Sequence, residues 1–244
     1  MEDIVLTPEE LGERVRAFLA EHDPHDMSRQ DFLNARFDAG LAWVHYPEGL
    51  GGLGLSRSLQ QLVDAEFAAA GSPGHDAERN AIGLGMAAPT ILAYGTDEQQ
   101  QRWLRELWTG REIWCQLFSE PGAGSDLAAL ATRAVRDGDG WVVSGQKVWT
   151  SQAHLAKRAL LVARTDPDVP KHQGLSYFAA DMTAPGVEVR PLRQITGEAE
   201  FNEVFLTDVR IPDEDRNTSL NSASPVICRS GRTSMPGAVM STAK

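Results

Sequence analysis

The hydrophobic period of this chain changes once, at Gly110, from the three- and four-residue steps of a helix to the two-residue step of a strand. Before that point the pattern is helical. Thr7-Pro8-Glu9-Glu10 reads as a helix start, with Thr7 as N-cap, Pro8 at the first helical position and Glu10 closing a capping box. Leu11, Val15, Phe18 and Leu19 then fall on one face. Ser28 and Asp31 repeat the start signal, and that helix should stop near Gly40. A third helix follows through Leu59, Leu62, Val63, Phe67 and Ala70. Residues 80 to 93, rich in Gly, Ala and Met, predict a buried helix. Thr96-Asp97-Glu98-Gln99 opens another, in which Trp103, Leu104 and Leu107 face the core.

After Gly110 the segments are extended. Ile113 to Phe118 is a short apolar strand. Asp137-Gly138-Asp139-Gly140 reads as a hairpin turn between Ala131–Arg136 and Trp141–Ser144. Ala159 to Ala163 is apolar throughout, as in a strand buried on both faces. Val187 to Arg190 and Phe201 to Leu206 alternate, with turns at Pro167–Gly174, Ala184–Gly186 and Gly197. The expected fold class is α+β multidomain. An all-α domain over residues 1–111 precedes an all-β sandwich or barrel over 112–216. Six of the 28 residues from 217 to 244 are Ser and none is acidic, so 217–244 is expected to be a disordered tail.

Charge narrows the function. The net charge is −11, from 23 Lys and Arg against 34 Asp and Glu. That argues against a sequence-independent nucleic-acid binder and an electrostatic membrane-surface protein. Two cysteines, Cys115 and Cys228, make neither a disulfide framework nor a zinc cluster. No basic stretch precedes an apolar run at the start, and no run reaches the ~18 apolar residues of a membrane span. The expectation is a soluble, cytoplasmic chain.

Several local patterns invite a chemical reading. Gly49-Leu50-Gly51-Gly52-Leu53-Gly54 fits G-x-G-x-x-G, which marks a nicotinamide dinucleotide site only between a strand and a helix. Helical segments on both sides favour an interhelical connection. His22 and His25 flank Pro24 with no further ligand nearby, so they read as solvated helix-end residues. Cys115, Trp103 and Trp108 read as core. Ser119-Glu120-Pro121-Gly122-Ala123-Gly124-Ser125-Asp126 leaves a strand for a loop of small residues, whose backbone N–H groups can converge on an anion. By itself it could equally be a turn. In Gly145-Gln146-Lys147-Val148-Trp149-Thr150-Ser151, strand alternation puts Trp149 and Ser151 on one face, a flat ring beside a donor. Taken singly, Trp149 would be a core tryptophan.

The two segments together, in this order and at this separation, resemble the FAD-binding signature of the acyl-CoA dehydrogenase family. The resemblance extends back through Tyr94–Gln100 and Pro47–Gly52, and forward through Phe201–Phe205 and Asp208–Pro212. It implies an N-terminal helical domain and a middle β domain, in agreement with the period change. It implies FAD as cofactor and removal of α- and β-hydrogens from an acyl-CoA, the β-hydrogen leaving as hydride to flavin N5 to give a trans-2-enoyl thioester. A Glu carboxylate abstracts the α-proton, and an electron-transferring flavoprotein is the acceptor. Family members form homo- or hetero-oligomers.

The resemblance also implies site residues. Gln116, Phe118 and Ser119 lie on the strand whose end meets the flavin, with Ser119 bonded to the ring. Gly124 and Ser125 match residues near the FAD pyrophosphate, and Ser125 is also implied at the CoA part of the substrate. Trp149 packs on the flavin and Ser151 stands near N5. The family continues into a C-terminal helical domain that usually carries the catalytic Glu. The resemblance here stops near Arg216, and no candidate for that Glu is found. The expectation is a truncated or frameshifted member with a large apolar face left open, or a non-catalytic partial subunit that binds flavin or a partner chain.

Overall fold

The structure is a computed structural model that describes residues 6–193 and 200–217. Except for Asn217, the segment expected to be a disordered tail lies outside the described residues, as does the turn expected at Gly197. The chain divides into two compact units. Of the described residues, the first comprises 6–84 and 97–112, and the second 85–96, 113–193 and 200–217.

The first unit is helical. Helix α1 (Pro8–Glu21) starts on the expected box: the Thr7 N–H donates to Glu10 Oε2 at 2.8 Å, and the Glu10 N–H to Thr7 Oγ1 at 3.2 Å. Such a cap stabilises a helix by about 1 kcal/mol. Helix α2 (Arg29–Asp38) starts on Ser28, which accepts from the Asp31 N–H. Helix α3 (Gln60–Ala69) turns Val63 and Phe67 inward. Phe18, Phe32 and Phe67 meet edge to face at 5.7–6.0 Å around the core of Leu11, Val15, Leu41 and Val44. Each such pair contributes ~1 kcal/mol beyond its buried area. The Arg36 guanidinium lies 3.9 Å over the Phe67 ring and pairs with Asp64 at 2.7 Å.

The glycine pattern at 49–54 is an interhelical connection, which removes the nicotinamide reading. No strand precedes Gly49: residues 42–56 wind on themselves, with the Ala42 and Trp43 N–H groups donating to the Gly51 carbonyl. Gly52 is there for close packing. A Cβ on it would stand 2.0 Å from the Tyr46 carbonyl oxygen.

The expected single buried helix over 80–93 is also corrected. Gly83–Ala87 is a π-type turn, and α-helix resumes only in α4 (Ala88–Tyr94), with Gly85, Pro89 and Ala93 exposed. Two glycines and Pro89 resist regular winding there. Helix α5 (Asp97–Trp108) belongs to the first unit and buries Trp103, Leu104, Leu107 and Trp108, as expected.

The second unit holds eight strands: β1 (Trp114–Leu117), β2 (Arg133–Asp137), β3 (Gly140–Ser151), β4 (Arg158–Arg164), β5 (Leu175–Asp181), β6 (Val187–Leu192), β7 (Phe201–Pro212) and β8 (Arg216–Asn217). They form one ladder in the order β6-β7-β3-β2-β4-β5-β8, with β1 beside β4. β1 runs parallel to β4, which is buried from Arg158 to Ala163. The sheet curls, so that inward residues of β1, β3, β4, β5 and β7 share one core built on Leu117, Val143, Leu161, Phe178 and Val204. The Asp137–Gly140 hairpin is present as expected. β5 fills the segment between the turns expected at Pro167–Gly174 and Ala184–Gly186, where the sequence reading names no strand.

Candidate functional site

The two sequence segments meet in the second unit. β1 ends at Leu117, and the chain passes through Phe118 and Ser119 into the small-residue loop. β3 lies alongside, and the Val148 N–H donates to the Ser119 carbonyl at 2.9 Å. The loop is pinched at its neck, where Glu120 and Ala123 exchange backbone hydrogen bonds of 2.9 and 3.0 Å. Gly122, Gly124 and Ser125 stand exposed beyond the pinch. Their N–H groups have no partner among the described residues, and a Cβ on either glycine would meet nothing within 4 Å. Outward backbone donors on an open loop suit an anion.

β3 does not alternate through its motif as expected. The register to β7 shifts between Lys147 and Thr150, and Trp149 has φ +59°. This is a β-bulge. Lys147 and Val148 are both buried, and Trp149 is thrown outward with 62% of its surface exposed. The core reading of this tryptophan therefore fails. Its ring meets only the edge of Phe201, at 6.0 Å and 80°, among the described rings. Pairing resumes at Thr150 with Asn202 and at Ser151 with Phe201. Ser151 is half-buried, two residues after the exposed indole.

The remaining expected residues are placed as follows. Ser119 is half-buried, and the hydroxyls of Ser119, Ser125 and Ser151 make no hydrogen bond among the described residues. Gln116 lies on β1, with its Oε1 buried and without a partner. The Phe118 ring packs edge to face on Tyr177 at 5.7 Å, so what it presents toward β3 is its carbonyl.

Beneath these groups lies a buried ion pair that sequence reasoning did not single out. Lys147, with no exposed surface, donates from Nζ to Glu120 Oε1 at 2.9 Å, the Phe118 carbonyl at 3.0 Å and the Val162 carbonyl at 2.8 Å. Glu120 also accepts the N–H groups of Ala131 at 2.6 Å and Thr132 at 2.9 Å. Burial pushes the Lys147 ammonium down to about 8 despite Glu120. Burial acts to raise the Glu120 carboxyl, but Lys147, Thr132 and Ala131 outweigh it and hold it below the usual carboxylate value. Gly145 completes the packing, since a Cβ there would stand 2.2 Å from Thr132 Oγ1. An acid in one motif and a lysine in the other were the available signal.

A flavin dinucleotide needs a flat apolar surface, donors at the ring edge and donors for its pyrophosphate. The exposed indole, the free hydroxyls and the open Gly122, Gly124 and Ser125 amides fit those needs. Among the described residues no group of His, Cys, Asp or Glu could hold a metal ion, and no helix is long and apolar enough to cross a membrane. His22 stacks on Phe18 at 4.4 Å, the helix-end position expected of it.

Comparison with known proteins agrees. Residues 7–111 match the family model of the acyl-CoA dehydrogenase N-terminal domain, and residues 115–209 that of the middle domain. Over 178 residues the chain is 54% identical to the acyl-CoA dehydrogenase FadE34 of Mycobacterium tuberculosis, covering 72% of this chain and 24% of that protein. It superposes on a chain of the ChsE4-ChsE5 complex from Mycobacterium tuberculosis with a TM-score of 0.60 at 35% identity, over 87% of this chain and 56% of that one. A glutaryl-CoA dehydrogenase from Mycobacterium smegmatis in complex with FADH2 gives a TM-score of 0.57 at 25% identity, over 88% of this chain and 55% of that one. The chain spans from about a quarter to about half the length of the curated relatives it matches. Its two matched regions, its helical and β units and these likenesses agree: the chain belongs to the acyl-CoA dehydrogenase family.

Proposed function

We propose that this chain binds FAD and serves the α,β-dehydrogenation of an acyl-CoA thioester to a trans-2-enoyl-CoA. The observation that carries this reading is the meeting of the two motifs: the Val148–Ser119 bond joins the bulge that exposes the Trp149 indole to the start of the loop that carries the open Gly122, Gly124 and Ser125 amides. Bound FAD supplies the two-electron acceptor, which side chains cannot provide. Trp149 offers a face to the flavin ring, and the Ser119 and Ser151 hydroxyls offer donors at its edge. The Gly122, Gly124 and Ser125 amides would hold the pyrophosphate, and Ser125 would also meet the CoA part of the substrate. An electron-transferring flavoprotein would be the acceptor for a chain loaded with FAD, and the cytoplasm its place of work.

Proton abstraction is assigned to no residue of this chain. The decisive assay is turnover of acyl-CoA with an artificial electron acceptor, run on the chain alone and with added family chains. Turnover by the chain alone supports a self-sufficient enzyme. Its likeness to a chain of the ChsE4-ChsE5 complex favours a second reading, a flavin-binding subunit that works with another chain. Turnover only after a partner is added would support that reading. Flavin binding without turnover in any mixture would leave only the binding role.

A further inference from the structure

We infer that Lys147 is a positioning residue for the flavin site: held by Glu120, its ammonium fixes the Phe118 carbonyl and so sets the Ser119 main chain against the Val148–Trp149 bulge. The inference rests on the flavin reading proposed above. Three donors of one ammonium meet three acceptors from different parts of the unit. Phe118 belongs to the exit of β1, Glu120 to the neck of the loop and Val162 to β4. Lys147 itself is the last paired residue before the register shift. The other end of the loop is tied to the same pair, because the Glu120 carboxylate accepts the Ala131 and Thr132 N–H groups. One ion pair therefore clamps both ends of the loop that carries Gly122, Gly124 and Ser125, and anchors the bulge that carries Trp149.

Stability alone does not account for the pair. Replacing a buried ion pair with apolar groups of similar volume is often neutral or stabilising. What an apolar pair could not do is donate to the Phe118 carbonyl. A methionine at 147 fills the space and leaves that carbonyl without its partner.

The test uses the full chain, with FAD affinity from flavin fluorescence and, without FAD, hydrogen exchange of the Val148 amide. Lys147→Met is compared with the double variant Glu120→Gln/Lys147→Met, which leaves no unpaired buried charge and carries the test if the single variant does not fold. Ile211→Ala, in the same core but away from the loop, controls for general destabilisation. Both Lys147 variants are expected to weaken FAD binding roughly tenfold and to speed Val148 exchange roughly tenfold, with Ile211→Ala changing each less than about threefold. A folded double variant with wild-type FAD affinity and Val148 protection would overturn the inference. So would an equal loss in Ile211→Ala. If the wild-type chain binds no FAD, the flavin reading fails first, and Val148 exchange still reports whether Lys147 holds the two segments together.

Discussion

The Val148 N–H donates to the Ser119 carbonyl at 2.9 Å, and that bond joins two stretches that lie far apart in sequence. One residue further along β3, the backbone turns into the left-handed region and carries Trp149 out of the sheet. A tryptophan gains nothing for folding by standing in solvent at a positive φ. The arrangement makes sense if something flat covers the ring.

Position 149 should therefore reverse the usual order of small residues in a strand. With φ +59°, glycine should be more stable than alanine by about 1 kcal/mol. Urea denaturation of Trp149→Gly and Trp149→Ala followed by circular dichroism tests this. Both variants should bind FAD about tenfold more weakly than wild type. Equal affinity would remove Trp149 from the site.

Gly52 should be far less replaceable than its neighbour Gly49. Alanine at 52 places a Cβ against the Tyr46 and Trp43 carbonyls, whereas alanine at 49 meets nothing and bears only the cost of φ +79°. Thermal melts should show Gly52→Ala losing roughly 3 kcal/mol and Gly49→Ala about 1. Loss of flavin binding in Gly49→Ala with unchanged stability would revive a ligand role for this loop.

Lys147 should titrate near 8 in carbon-13 NMR of lysine side chains, against 10.5 for an unperturbed lysine. The folded value is the lower one, so between those two pH values the unfolded chain binds more protons. The Lys147 contribution to stability should then rise with pH across that window and be flat below it. The stability difference between wild type and Lys147→Met should change with this slope between about pH 8 and 10.5. No difference in slope would mean that the ammonium is not held as described.

Cys115 should resist alkylation. It has no exposed surface, and burial pushes its thiol up to about 12. Iodoacetamide at neutral pH should label it only after denaturant is added, as read by peptide mass spectrometry. Labelling in the native chain would contradict its place in the core.

What was legible in the sequence was local. Thr7 with Glu10, Ser28 with Asp31, and the Asp137–Gly140 turn each act within four residues, and each formed as read. The unbroken apolar run of β4 announced a strand covered on both faces. Trp149 breaks the even alternation expected of β3, because a two-residue period contains no sign of an extra residue. The bulge follows from Lys147 and Val148 both turning inward, and Lys147 can do so only because Glu120 waits there. That partnership joins positions 27 apart, and no helical or strand period links them. The π-type turn at Gly83–Ala87 was hidden in the same way, since Gly, Ala and Met fit many windings.

The most direct test of a preassembled flavin site is the visible absorbance spectrum of the purified full chain after incubation with FAD and removal of the unbound cofactor. The account predicts retained flavin at close to one per chain, with a spectrum shifted from that of free FAD. A colourless protein, folded by circular dichroism, would contradict it.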